Sequence, residues 1–135
     1  GKQRMQQQAE VIAGLDLGLE AILTSPLRRA LQTAQIVAAC LIDQGQLGEE
    51  ALVVDKRLAC GFGIEDLRQI VQDYATARAL MLVGHEPDFS RVIGQLIGGG
   101  RVICKKGGLA RIDLFDPAGM AGELVWLLPP KFLGG

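Results

Sequence analysis

Apolar residues recur along this chain in two rhythms, unbroken runs of four or five and longer stretches spaced by three or four. The runs Ala21-Ile22-Leu23-Thr24, Ala51-Leu52-Val53-Val54 and Ala79–Val83 (ALMLV) have strand length, and such unbroken runs mark strands buried on both faces. Between the first two, Leu27, Ala30, Leu31, Ala34, Val37, Ala38 and Leu41 repeat with helical period and predict an amphipathic helix. Ile64 to Tyr74, with Leu67, Ile70, Val71 and Tyr74 on its buried side, predicts a second, and Phe89, Val92, Ile93, Leu96 and Ile97 a third. Residues Gly1 to about Gly14 read as an opening helix, apolar at Met5, Ala9, Ile12 and Ala13, with Gln6–Gln8 on a solvated face. Strands alternating with helices imply βαβ units and a parallel sheet.

After the third helix the rhythm changes. Gly98-Gly99-Gly100 ends that helix, and Lys105-Lys106-Gly107-Gly108 makes a turn that lacks the Ser/Thr and spacing of a Walker loop. Arg111–Phe115 alternates, with Ile112 and Leu114 on one face, Asp116-Pro117-Ala118-Gly119 turns, and Glu123–Leu128 returns as a strand that Pro129-Pro130 stops. That pairing is an antiparallel hairpin at one side of a mixed sheet. Lys56 to Gly63 is expected to be an irregular loop anchored by Leu58. The expected architecture is a three-layer α/β/α domain over residues 1–135: a mostly parallel mixed sheet, helices on both faces and a C-terminal antiparallel hairpin.

At 135 residues, 49% of them hydrophobic and 18 glycine, the chain suits one compact domain with many tight turns. A net charge of −1 predicts no broad attraction to nucleic acid or an anionic membrane surface. No apolar run approaches the ~20 residues of a membrane span, and the polar, Gln-rich start carries no secretory signal. Cys40, Cys60 and Cys104 are odd in number and lack CxxC spacing, which argues against a disulfide framework and a zinc site. Cys40 is expected in the core, Cys60 and Cys104 partly exposed. Neither carries the arginine six positions on that a cysteine phosphatase needs, since Asp66 and Ala110 stand there.

Candidate chemistry gathers at two strand-to-helix junctions. At one, Ser25 is placed to N-cap the helix and Pro26 to fill its first position, so Arg28 and Arg29 fall in or near the first turn. Cations there oppose the helix dipole, at about 0.3–1 kcal/mol each when exposed, and either a bound anion or nearby carboxylates would offset that. At the other, Gly84 allows a sharp turn, His85 is the one histidine in the sequence, and Pro87 sits near the start of the next helix. Ligands of open α/β sheets bind at such strand ends, where free helix N–H groups attract anions. Two junctions of this kind, one with arginine and one with histidine, point to a phosphate site.

The segment Thr24-Ser25-Pro26-Leu27-Arg28-Arg29-Ala30-Leu31-Gln32-Thr33-Ala34 resembles the S-P-x-x-R-A-x-Q-T-A segment of the histidine phosphatase (phosphoglycerate mutase-like) superfamily. Leu82-Val83-Gly84-His85-Glu86-Pro87 is similar to its second-histidine motif in the form found in small SixA-type phosphohistidine phosphatases, and Leu124–Lys131 is similar to the tail of that branch. The resemblance runs from about Gly1 to Leu133. It implies a cytoplasmic phosphohistidine phosphatase that forms a covalent phosphohistidine, needs no metal or cofactor, and acts on a phosphorylated protein or a small phosphate ester. Arg29 aligns with the family arginine and Arg28 does not. Arg29 and His85 would hold the phosphoryl group, with the Glu86 backbone N–H assisting. Glu65, Asp66, Glu86 and Asp88 are all candidates for the general acid.

One part of the family pattern is missing. The family's nucleophilic histidine lies in an R-H-G motif on a strand before the region matching Gly1, and no R-H-G occurs in this sequence. The attacking histidine would have to come from outside it. The competing expectations are a phosphate-binding or interaction module that keeps Arg29 and His85 without the nucleophile, and a small-molecule phosphatase or mutase of the same superfamily. A serine hydrolase with His85 as base is disfavoured, because no G-x-S-x-G elbow exists and Ser25 is followed by proline.

Overall fold

Strand β1 (Ala21–Thr24) lies at the centre of a parallel sheet, between β2 (Leu52–Val54) and β3 (Leu80–Val83). The structure, a computed structural model, describes residues 2–133, so Gly1 of the expected first helix lies outside the described residues. In register, Ile22 pairs with Leu52 on one side and Met81 on the other, and Thr24 with Val54 and Val83. Every residue of β1 is buried, as an unbroken apolar strand with a neighbour on each edge and helices on each face should be.

The helices divide between the two faces of the sheet. Ile22 and Met81 pack into a cluster with Ala9, Ile12 and Ala13 of α1 (Lys2–Gly14) and Ala34, Val37, Ala38 and Leu41 of α2 (Arg28–Asp43). Ala21 and Leu23 point the other way, into a cluster with Leu67 and Ile70 of α3 (Ile64–Asp73) and Val92 and Leu96 of α4 (Asp88–Leu96). This alternation follows from the two-residue period of a strand. Helix α2 thus carries the chain from β1 to β2 over one face, and α3 carries it from β2 past β1 to β3 over the other.

The C-terminal part is an antiparallel hairpin, β4 (Leu109–Asp116) with β5 (Ala121–Leu128), which forms a sheet of its own beside the three parallel strands. Ile112 and Leu114 of β4 pack with the α3/α4 cluster, as their shared face predicts, while Leu109 packs with the α1/α2 cluster. The class is therefore α/β, with a parallel three-stranded sheet, helices on both faces and a C-terminal antiparallel pair. The expected loop at Lys56–Gly63 opens with a 3-10 turn, Lys56–Leu58, and Leu58 is fully buried. A second 3-10 turn, Pro130–Leu133, follows β5.

Two expectations need correction. Helix α2 begins at Arg28 with Leu27 in the N-cap position and no side-chain cap, whereas Ser25 was expected to cap it. Ser25 still belongs to the strand layer: its N–H donates to the Val83 carbonyl at 2.9 Å. Its hydroxyl accepts the Leu27 N–H at 3.1 Å, before the helix starts. Cys104 is buried rather than partly exposed, because its N–H donates to the Ser90 hydroxyl at 2.8 Å and folds the loop against α4. Cys40 is buried and Cys60 exposed, and all three cysteines are free thiols.

Candidate functional site

The strand order β2-β1-β3 makes the carboxyl ends of β1 and β3 a point where the chain leaves in opposite directions, one exit toward each face of the sheet. Open α/β sheets bind their ligands outside the strand ends at such a switch point. Because Thr24 and Val83 are register partners, the residues just beyond them, Ser25 and Gly84-His85, are brought side by side. His85 Nε2 lies 2.8 Å from the Ser25 hydroxyl oxygen. Ser25 is fully buried and His85 half-buried.

Gly84 is required where it stands. A methyl group on its Cα would lie 2.8 Å from Phe89 Cζ and 3.2 Å from the Leu58 carbonyl oxygen. The Phe89 ring closes over this turn and meets Phe62 edge-on, with ring centroids 5.5 Å apart, a favoured aromatic geometry. The bare turn lets the chain swing from β3 into α4 without displacing that pair, and so fixes where His85 emerges. Pro87 takes the N-cap position of α4.

Arg28 and Arg29 occupy the first two positions of α2 and are exposed. Neither guanidinium pairs with a carboxylate among the described residues, so the charge of this uncapped helix start is not offset from within. Thr33 donates to the Arg29 carbonyl at 3.0 Å, a bond within the helix that leaves the guanidinium free. Arg29 thus stands at the same end of β1 as the Ser25–His85 pair, with no hydrogen bond to it among the described residues.

The four acidic candidates separate once their partners are known. Asp88 is buried and accepts from the Gly61 N–H at 2.7 Å and from Arg91 at 2.6 Å. Burial alone would raise its carboxyl, but hydrogen bonds from Arg91 and the Gly61 N–H, with the Arg91 charge, hold it below the usual carboxylate range. It is a structural anion that ties α4 to the 59–63 loop. Asp66 accepts the Gly63 N–H at 2.9 Å and closes the start of α3, and Glu65 pairs with Arg68 on the surface. Glu86, next to His85, accepts from both the backbone N–H and the hydroxyl of Ser90. Of the four, only Glu86 adjoins the histidine.

Sequence reasoning missed two features of this region. Ser25 was read as a helix cap, and its place beside His85 follows only from the pairing of β1 with β3. Asp55, just beyond β2, accepts from the backbone N–H, Nε and Nη2 of Arg57, whose Nη1 reaches Asp73 at 2.8 Å. The Arg57 hydrogen bond holds the Asp55 carboxyl below its ordinary value against the opposing effect of burial. An Asp-x-Arg spacing was the available signal. Among the described residues no group of three or more His, Cys, Asp or Glu is arranged to hold a metal ion, and no helix is long and apolar enough to cross a membrane.

No family model matches the chain, and no curated protein matches it by sequence. The solved structure of the protein histidine phosphatase SixA complexed with tungstate is similar in three dimensions. It superposes with a TM-score of 0.79 at 20% sequence identity, over 96% of this chain and 80% of that one. The chain therefore has the α/β fold of that histidine phosphatase.

Proposed function

We propose that the surface beyond the carboxyl ends of β1 and β3 is the phosphoryl-binding site of a phosphohistidine phosphatase of the SixA type. The observation that carries this reading is the meeting of the sole histidine, His85, with Ser25 at the strand ends, beside the uncapped, doubly cationic start of α2. Tungstate, bound by the SixA structure, has the tetrahedral oxyanion shape of phosphate. In this reading Arg29 offers a planar fork to two phosphoryl oxygens, His85 donates to a third, and the Glu86 backbone N–H assists.

In the reaction, an imidazole nitrogen attacks phosphorus in line while these donors hold the equatorial oxygens as charge develops on them. The bond to the leaving group breaks, and water then cleaves the resulting phosphohistidine. A leaving imidazole needs little help from an acid, which suits a protein phosphohistidine as substrate. The attacking imidazole is a second histidine, and the 135 residues contain one. A second reading is a phosphate-binding module that uses Arg29 and His85 without turnover.

Calorimetric titration with tungstate tests the site: the chain should bind it, and Arg29→Ala and His85→Asn should each weaken binding. Undiminished affinity in both variants would overturn the assignment. Turnover then separates the two readings. Joined to a segment bearing an R-H-G motif, the chain should hydrolyse a phosphohistidine-bearing protein and release inorganic phosphate. Tungstate binding without hydrolysis in that fusion would leave the binding module as the function.

A further inference from the structure

We infer that Ser25 is a positioning residue that holds neutral His85 in the Nδ1–H tautomer, so that the imidazole presents an N–H donor rather than a lone pair to the site. The inference rests on the phosphoryl-binding reading for its purpose, although not for its geometry.

The argument is a count of protons and lone pairs. A serine hydroxyl has one proton to donate and two lone pairs with which to accept. One lone pair of Ser25 takes the Leu27 N–H at 3.1 Å. The Ser25 N–H goes to the Val83 carbonyl, and its own carbonyl accepts from the Thr24 hydroxyl at 3.0 Å. Both side chains are fully buried, so the Ser25 proton has no water to turn to. Its one acceptor within reach among the described residues is His85 Nε2 at 2.8 Å.

If Nε2 carried the proton in the neutral ring, both hydrogens would compete for one line of approach, and the hydroxyl proton would be buried without a partner. Such an orphan is costly. The arrangement that satisfies every group has Ser25 donating to an unprotonated Nε2, which leaves the ring proton on Nδ1. A hydrogen bond at one ring nitrogen decides the state of the other. His85 Nδ1 has no partner among the described residues, so its N–H is available to an incoming oxyanion. A neutral ring set this way donates to a phosphoryl oxygen without first having to gain a proton.

Because His85 is the one histidine in the sequence, its ring nitrogens can be read without assignment ambiguity. Long-range 15N–1H NMR of the full chain without any anion, at a pH where the imidazole is neutral, should show Nδ1 protonated and Nε2 bare. A protonated Nε2 in that spectrum would overturn the inference whatever the variants do. Ser25→Ala should shift the ring toward the Nε2–H form and weaken tungstate binding roughly 3–10-fold, and Ser25→Thr, which keeps the hydroxyl, should restore both. If Ser25→Ala does not fold, the wild-type and Ser25→Thr spectra decide alone: retention of the Nδ1–H form in both supports the role, and its loss from either overturns it. Failure to bind tungstate with the Nδ1–H tautomer present would sink the phosphoryl-binding reading and leave the tautomer assignment standing.

Discussion

Asp88 Oδ2 accepts the backbone N–H of Gly61 at 2.7 Å across 27 positions of sequence. With the Arg91 guanidinium on its other oxygen, this carboxylate is fully engaged in joining α4 to the loop that follows β2. A group so committed does not serve as the acid of a reaction. It holds the helix whose first turn begins just after His85, and its contribution is to the rigidity of the site.

The pH dependence of stability follows from that geometry. Asp88 and Asp55 are both held below the ordinary carboxylate value. A group of this kind adds stability that is complete above its unfolded value near ~3.9 and is lost as the pH falls through the folded value. Stability measured by urea denaturation should therefore fall as the pH drops below about 4. Asp88→Asn should cost about 1.5–3 kcal/mol at neutral pH and flatten the acid slope. An unchanged slope would show that Asp88 does not carry it.

Gly84→Ala should destabilise by about 1–3 kcal/mol, the usual range for overpacking, because its Cβ would press on the Phe89 ring and the Leu58 carbonyl. Phe89→Leu, itself destabilising, should make the alanine less costly, so a double-mutant cycle in thermal or chemical denaturation should be clearly non-additive. Additive losses would mean that the ring does not set the requirement for glycine.

Arg29→Ala should weaken tungstate binding ~10–100-fold, the range for losing a hydrogen bond to a charged group. Arg28→Ala should change it much less, because the proposed site gives the anion to the Arg29 guanidinium. Equal losses in isothermal titration would mean that both cations face the anion.

Thiol reactivity checks the packing of the 101–108 loop. Of the three free cysteines only Cys60 is exposed. At Cys104, burial and then the Glu86 carboxylate push the thiol up, which lowers its thiolate fraction. An aromatic disulfide reagent should titrate one thiol quickly in the native chain and all three in denaturant. A second fast thiol would show that Ser90 does not hold the loop down.

Much of this molecule could be read without coordinates. The runs at Ala21–Thr24 and Leu80–Val83, the helical spacing from Ala30 to Leu41, and the hairpin turn at Asp116–Gly119 are local patterns, each set by side-chain period or turn chemistry within a few residues. They sufficed to establish an α/β chain and to bring Arg28, Arg29 and His85 to strand-to-helix junctions as candidates; the choice of Arg29 over Arg28 came from the family resemblance alone. What only the tertiary structure decided depends on residues distant in sequence. The register of β1 against β3 places Ser25 beside His85 across 60 positions, and converts an expected helix cap into a partner of the histidine. Gly61 reaches Asp88, and Ser90 reaches Cys104, by the same long-range closure. Local pattern reports which groups are present and which face they take. The partner of a buried polar group is chosen where two elements meet, because burial removes water and only the neighbouring element remains to satisfy it.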